Sequence, residues 1–383
     1  MVLCYTKPAA VASVAQMVEQ RFRKPPVVSS NLTAGFFYVV VSMKAQVLTQ
    51  IAPVESKPLK MMDLPLPQPG WGEVLVKVSA CGVCHTELDE IEGRLPPKLP
   101  IVLGHEVVGV VAGLGAGVTR LKMGDRVGIA WIHSACGRCH FCKEGKENLC
   151  PEFVGTGCQA DGGYAEYTVV PADFAYPIPE RFTDSQAAPL LCAGAIGYRA
   201  LRLSNLKDNQ VLGLFGFGAS AHIVIQLAKH KYPSCRVFVF TRAGQKEHQD
   251  LARKLGADWV GATGETPPDR LSCAIDTTPV WRPIVEALRV IDKGGRVVIN
   301  AIRKEEIDKQ SLLELDYCTH LWQEKEIKSV ANITRQDAQE FLPLAAEIPI
   351  VPEIQEFNLE EANEVLLRLK QGKIQGAAVL KIG

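Results

Sequence analysis

The run Gly216-Phe217-Gly218-Ala219-Ser220-Ala221 constrains the fold of this chain more than any other stretch. Gln210–Phe215 before it reads as a buried strand, and Ala221–Lys231 after it as an apolar helix. A strand that turns through glycines into a helix leaves the first helical N–H groups free to bind phosphate. Gly216 permits the tight turn, Gly218 lets the backbone approach a pyrophosphate, and Ala221 is small enough for close helix–strand packing. Alone, such a run is weak. Here strands at Val237–Phe240, Ala274–Asp276 and Gly295–Asn300 alternate with helices at Lys246–Leu255 and Trp281–Val290, which predicts a doubly wound parallel sheet.

Cofactor choice turns on the end of the second strand of such a sheet. NAD sites carry an Asp or Glu about 20 residues past the loop, bonded to the ribose 2′-hydroxyl. Here Val237–Phe240 runs into Thr241 and Arg242, and the first acid is Glu247, inside the next helix. A guanidinium at Arg242 suits a 2′-phosphate, with no carboxylate to repel it. NADP is therefore favoured over NAD; the plainer reading has Arg242 stacked on the adenine or facing solvent. A second glycine run, Gly113, Gly115 and Gly117, leads through Arg120–Asp125 into another strand. It reads as a hairpin turn, not a phosphate site.

Cys136, Cys139, Cys142 and Cys150 make a C-x2-C-x2-C-x7-C run in loop-like sequence. Four thiolates at that spacing can surround one Zn2+ at about 2.3 Å, and a site with four protein ligands is closed and structural. Disulfides are the alternative, but the chain shows no convincing export signal, and clustered cysteines in a reducing compartment favour metal. Cys84, His105 and Cys192 are more dispersed. Taken singly, Cys192 in its apolar stretch reads as core and His105 as a satisfied buried imidazole.

In order along the chain stand Cys81-Gly82-Val83-Cys84-His85-Thr86-Glu87, Gly104-His105-Glu106, the four-cysteine lobe, Leu190-Leu191-Cys192-Ala193-Gly194 and the glycine loop. Together they resemble the zinc-dependent medium-chain alcohol dehydrogenases, over about residues 43 to 383. The resemblance implies an α+β catalytic domain with a partly closed antiparallel β-barrel of GroES-like type at 43–193, completed by 331–383. It also implies an α/β doubly wound Rossmann domain at 194–330. Cys84, His105 and Cys192 are implied as ligands of a catalytic zinc; two cysteines, one histidine and an open position are the set known from alcohol dehydrogenase itself. Glu106 resembles the carboxylate that approaches the metal during ligand exchange, and Glu87 the acid that orients the ligand histidine. Thr86 resembles the hydroxyl of a proton relay, and His85 the cationic group on the cofactor phosphate. Cofactor contacts are implied at Gly216, Gly218, Ala219, Ala221, Thr241 and Arg242.

The implied reaction follows from the open position. An alcohol oxygen takes it, zinc lowers its pKa as it lowers that of bound water, to roughly 7, and the alkoxide releases hydride to the nicotinamide. In reverse, an aldehyde is reduced. Three residues depart from the family pattern. Asp89 stands where many relatives end the relay in His, Gln375 where a pyrophosphate-clamping Arg is usual, and Leu95 where a Trp narrows the pocket. A carboxylate, with a reference pKa of about 3.9, is the poorer proton acceptor at neutral pH. Trp131 reads as pocket wall or core. Two alternatives lie outside this reading: a metal-stapled nucleotide-binding protein without turnover, and a zinc-free relative of the quinone reductases.

Lys plus Arg and Asp plus Glu each number 42 among 383 residues, so no net field recruits nucleic acid or anionic membrane. No apolar run reaches the ~20 residues of a membrane span. A cytoplasmic homodimer or homotetramer acting on a small alcohol or aldehyde is expected. Residues 1–42 stand apart from the fold. Glu19 is their one acid beside Lys7, Arg21, Arg23 and Lys24, a transit-peptide-like imbalance. However, the stretch from Val14 to Gly35 resembles the conceptual translation of a transfer-RNA gene, which makes Met43 the expected natural start.

Overall fold

The computed structural model describes residues 42–348, 350–374 and 376–383; the expectations placed on residues 1–41 and on Gln375 lie outside the described residues. Strand β1 (Ser42–Leu48) pairs antiparallel with β2 (Leu59–Pro65) along its whole length and, at Val47 and Leu48, with the short β4 (Ile101–Val102). The spine of a second sheet is β3 (Glu73–Val83). On one edge it pairs with β5 (Val107–Leu114), which continues to β6 (Arg126–Ile129) and β10 (Ala175–Pro177). Its other edge is shared by β9 (Tyr167–Pro171) and β18 (Ala377–Lys381). The two sheets meet where Ala45 bridges Ala165, with Gln46 N donating to Tyr164 O at 2.8 Å. Closure is partial, and no closed barrel forms among the described strands.

The returning segment adds one parallel pairing to this otherwise antiparallel sheet. Strand β17 (Ile354–Asn358) runs parallel to β18, Ile354 beside Ala377 and Asn358 beside Lys381. The helix Ala362–Lys370 lies between them in sequence, and a helical crossover returns the chain in the same direction. The Gly113–Gly117 segment is a turn between β5 and β6, as read from sequence. A Cβ at Gly115 would stand 1.7 Å from Gly70 O, so its glycine serves packing.

The second unit is a six-stranded sheet of β11 (Val211–Phe215), β12 (Arg236–Thr241), β13 (Trp259–Ala262), β14 (Leu271–Asp276), β15 (Ile291–Ile299) and β16 (Glu326–Ser329). All pairings are parallel, in the order β13-β12-β11-β14-β15-β16. That is the doubly wound order, with its topological switch between β11 and β14. Every residue of β11 is buried, as a strand covered on both faces requires. The helix Ala193–Ser204 enters this unit and packs on Ala221–Lys231 and on Arg335–Glu347. Its glycines explain the closeness: a Cβ at Gly194 would meet the Phe341 ring at 2.6 Å, and one at Gly197 would meet Val224 at 2.8 Å. Among the described residues no helix is long and apolar enough to cross a membrane.

Candidate active site

The site is organised by one short helix, α1 (His85–Ile91), which sequence reading missed. Its signal was present: Cys84 and Glu87 have the spacing of a capping box, with Leu88 and Ile91 on the buried side. Cys84 is the N-cap. Its Sγ accepts from Thr86 N at 3.3 Å, while Glu87 Oε2 accepts from Cys84 N at 2.9 Å. The other oxygen of Glu87 lies 2.6 Å from His105 Nδ1, a contact close enough for an ion pair though bent away from hydrogen-bond geometry. Glu87 therefore fixes both the thiol and the imidazole. That leaves His105 Nε2 pointing at Cys84 Sγ, 3.6 Å away.

Cys84, His105, Glu106 and Cys192 offer ligand atoms that all lie within 4.8 Å of one another. Sulfur at about 2.3 Å and nitrogen at about 2.05 Å from one tetrahedral ion are about 3.6 Å apart, the spacing of Cys84 and His105. The residues fit zinc. Burial alone lowers the pKa of His105, but Glu87 and Cys84 outweigh it and raise the pKa well above the usual imidazole range. Burial pushes Glu106 up to about 8, with His105 pulling the other way. A hydrogen bond to Cys192, then burial, raises Cys84. Without a metal ion, the thiols and Glu106 of this cluster resist ionising, whereas His105 takes up a proton readily.

The four-cysteine lobe hangs between β7 (Ile132–Ser134) and β8 (Val154–Gly155), which pair antiparallel. Cys136 and Cys142 place their sulfurs 3.9 Å apart, and Cys139 and Cys142 theirs 3.6 Å apart. Four sulfurs around one zinc would be about 3.8 Å apart. Backbone N–H groups of Arg138 and Cys139 lower the Cys136 thiol to about 6. Asn148 and Glu147 of the lobe hold the returning segment, through Ala331 O at 2.6 Å and Arg335 at 2.8 Å.

At the glycine loop, Gly216 has φ 84°, a left-handed conformation that favours glycine. A Cβ there would meet Thr277 Oγ1 at 2.8 Å and Thr278 at 2.9 Å, whereas one at Gly218 would meet nothing within 4 Å. Open space belongs where a ligand's phosphates approach. Ala219 lies in the turn, and Ala221 is buried at the first position of α3 (Ala221–Lys231). Beyond β12, Arg242 is exposed, and its guanidinium has no hydrogen bond or ion pair among the described residues. Thr241 is buried, its hydroxyl accepting from Gln249 Nε2 at 2.9 Å. His85 opens to solvent at the start of α1; the protein around the ring lowers its pKa, with Asp89 opposing. Thr86 Oγ1 lies 3.4 Å from Cys84 Sγ. Trp131 is tilted against Phe153 with ring centres 5.2 Å apart, and Leu95 is half-buried.

Two buried charged groups near the site, Glu90 and Lys304, escaped sequence reading, as did the partners of Asp89. Asp89 Oδ1 accepts from Arg94 Nε at 2.6 Å and from Arg303 Nε at 2.8 Å. Glu90 is wholly buried and neither of its oxygens has a hydrogen-bond partner; burial first, then Glu87, raises its pKa well above the usual carboxylate value. Lys304 Nζ is buried against Asp276 and donates to Thr278 O at 2.8 Å and Val280 O at 2.9 Å. It braces the end of β14, beside Gly216. Apolar patterning carries no signal for any of them.

The alcohol dehydrogenase GroES-like domain family matches residues 70–180. Probable alcohol dehydrogenase AdhA of Mycobacterium tuberculosis is 42% identical over 347 residues, covering 89% of this chain and 98% of that protein. An alcohol dehydrogenase of Geobacillus stearothermophilus is 36% identical over 350 residues, covering 89% and 99%. Among solved structures, acetophenone reductase from Geotrichum candidum, in complex with NAD, matches with a TM-score of 0.75 at 26% identity, covering 89% of this chain and 97% of that one. On fold, ligand geometry and kinship alike, the chain belongs to the zinc-dependent medium-chain alcohol dehydrogenase family and is an NAD(P)-dependent alcohol oxidoreductase.

Proposed function

We propose that this chain transfers hydride between an alcohol and its aldehyde at a zinc held by Cys84, His105 and Cys192, with NADP favoured over NAD. A second zinc ties Cys136, Cys139, Cys142 and Cys150. The observation that carries this reading is the convergence of Cys84, His105 and Cys192, their ligand atoms within 4.8 Å of one another, with Glu87 set behind the histidine. Zinc, when bound, supplies Lewis-acid polarisation of the substrate oxygen. The chain's own residues do the rest. Glu87 holds the imidazole with Nε2 toward the metal position, the orienting role such outer groups play. Glu106 sits among the ligands as a spare carboxylate for ligand exchange. Thr86 carries the proton from the reacting oxygen, while Asp89, the expected end of the relay, has Oδ1 occupied by two guanidinium groups.

Phosphates of the cofactor lie on the Gly216, Gly218, Ala219 and Ala221 turn, with His85 beside them, a ring whose protonation a bound phosphate would favour against the lowering by burial. Arg242, exposed and unpaired, meets the 2′-phosphate, and Thr241 holds the turn. The reading divides the chain into a catalytic domain at 43–193 and 331–383 and a Rossmann domain at 194–330. It places the protein in the cytoplasm as a homodimer or homotetramer. Support for assembly comes from β16, an edge strand exposed at every residue, and from the exposed Ile307, Leu313 and Trp322 in the segment between β15 and β16. Unpaired edges of this kind invite a partner strand.

Metal analysis combined with turnover tests the proposal. The purified chain should carry two zinc per chain and oxidise one or more of a panel of primary, secondary and aromatic alcohols with NADP+. Cys84→Ser should retain one zinc and lose turnover. One zinc in the parent chain, or full activity in Cys84→Ser, would remove the catalytic metal from this site.

A further inference from the structure

We infer that Asp89 and Arg303 form a latch between the catalytic and nucleotide-binding units, with Arg303 positioning α1 and slowing cofactor release. The inference rests on the nucleotide site proposed at Gly216–Ala221. Asp89 lies on α1, five residues past Cys84, with a side chain that is 6% exposed. Arg303 follows β15, 214 residues away in sequence. Ligands of open parallel sheets bind off the C-terminal ends of the strands, at the topological switch. Arg303 stands at that edge of the sheet: β15 ends at Ile299, and its neighbour β14 ends beside Gly216. The Arg303–Asp89 contact therefore joins the two units at the rim of the nucleotide site.

The contact is one link in a longer series. Arg303 pairs with Asp89, Asp89 with Arg94, Arg94 with Glu92, Glu92 with Lys370 at 2.6 Å, and Lys370 with Glu55 at 2.8 Å. Charge alternates at every step, from the sheet edge to the end of α7 (Ala362–Lys370). Exposed ion pairs contribute little. Asp89 and Glu92, however, are 6% and 10% exposed, and a desolvated carboxylate stripped of a partner is costly. Arg303 is itself balanced: its Nε serves Asp89, and its Nη2 lies 3.9 Å from Glu305. A guanidinium held between carboxylates suits a cross-link better than a phosphate anchor.

The test uses the full zinc-loaded chain, with NADPH dissociation followed by fluorescence after a chase of unlabelled NADP+. Arg303→Met and Asp89→Asn should each speed release about five- to thirtyfold, and the double variant no more than Asp89→Asn alone, because that change already breaks the contact that Arg303→Met removes. Arg303→Lys should recover part of the loss. In the parent, high salt should speed release, with less effect in the variants. Additive effects, or faster release in Arg303→Met alone, would mean that Arg303 touches the cofactor directly and would overturn the latch. A second readout needs no cofactor: amide exchange in 85–91 and in 300–305 should rise together in either variant. Segments that stay protected overturn the latch, whereas failure of NADPH to bind the parent chain overturns the nucleotide reading instead.

Discussion

Gly216 and Gly218, two residues apart, should respond to alanine in opposite ways. At Gly218 a Cβ points into open space, with nothing within 4 Å, and the residue is not in the left-handed region. Gly218→Ala should leave the fold intact or stabilise it by about 0.4–1 kcal/mol through the unfolded chain. The same methyl occupies the space through which a pyrophosphate approaches the backbone. Loss of one charge-assisted hydrogen bond, about 1.5–3 kcal/mol, corresponds to roughly 10- to 150-fold in Kd. At Gly216, alanine meets φ 84° and atoms at 2.8 and 2.9 Å. The left-handed backbone costs about 1–2 kcal/mol and the overlap about 1–3 kcal/mol more. Gly216→Ala should thus lower Tm by several degrees, at about 2–4 °C per kcal/mol, and weaken binding as well. Titration of NADPH by fluorescence, with Tm measured alongside, separates the two. Unchanged affinity in Gly218→Ala would show that phosphate does not sit on this loop.

Cys139→Ser should reduce zinc from two per chain to one and lower Tm, because metal binding at a closed site is folding free energy; unchanged zinc and Tm would mean the lobe binds no metal. Arg242→Asp should shift the NADP/NAD ratio of kcat/KM by about 30- to 1,000-fold toward NAD, from roughly 2–4 kcal/mol of lost attraction and new repulsion. If the ratio holds, Arg242 does not read the ribose. Glu90→Gln should stabilise the chain only at higher pH. Burial and Glu87 raise the folded-state pKa of Glu90, so the stability tied to its proton is full below the ordinary carboxylate pKa and is lost as pH rises through the folded value. The variant's Tm advantage should therefore be absent near pH 4 and grow toward pH 9, and a flat difference would show that Glu90 does not titrate in the folded chain.

What the sequence disclosed was what local chemistry dictates. The glycine turn at Gly216 needs a left-handed residue and gets one, and the four cysteines are close because their spacing allows little else. The doubly wound parallel sheet follows from alternating strands and helices, while its edge strands β13 and β16 carry weaker local patterns. What stayed hidden depends on partners distant in the chain. Helix α1 was passed over because its cap is a cysteine, a residue that also serves a metal. The parallel pairing of β17 and β18 depends on where the last 30 residues return, which periodicity does not specify. Arg303 carries no local signal, because its partner is 214 residues away.

The acids of α1 make the same point with more force. Glu87, Asp89 and Glu90 within seven residues would pass for a solvated helix face, yet all three are buried. Burying carboxylates together is expensive unless something nearby is positive. A helix N-terminus offers a little, and Arg94 and Arg303 answer for Asp89. Glu87 is answered by His105, whose raised pKa depends on Glu87 in turn. Glu106 and the thiols of Cys84 and Cys192 crowd around the same imidazole. In such a place a divalent ion is the largest local charge and reverses the protonation preference of every ligand. The excess of buried acid is therefore a second argument for the metal, independent of the family motifs and drawn from charge alone.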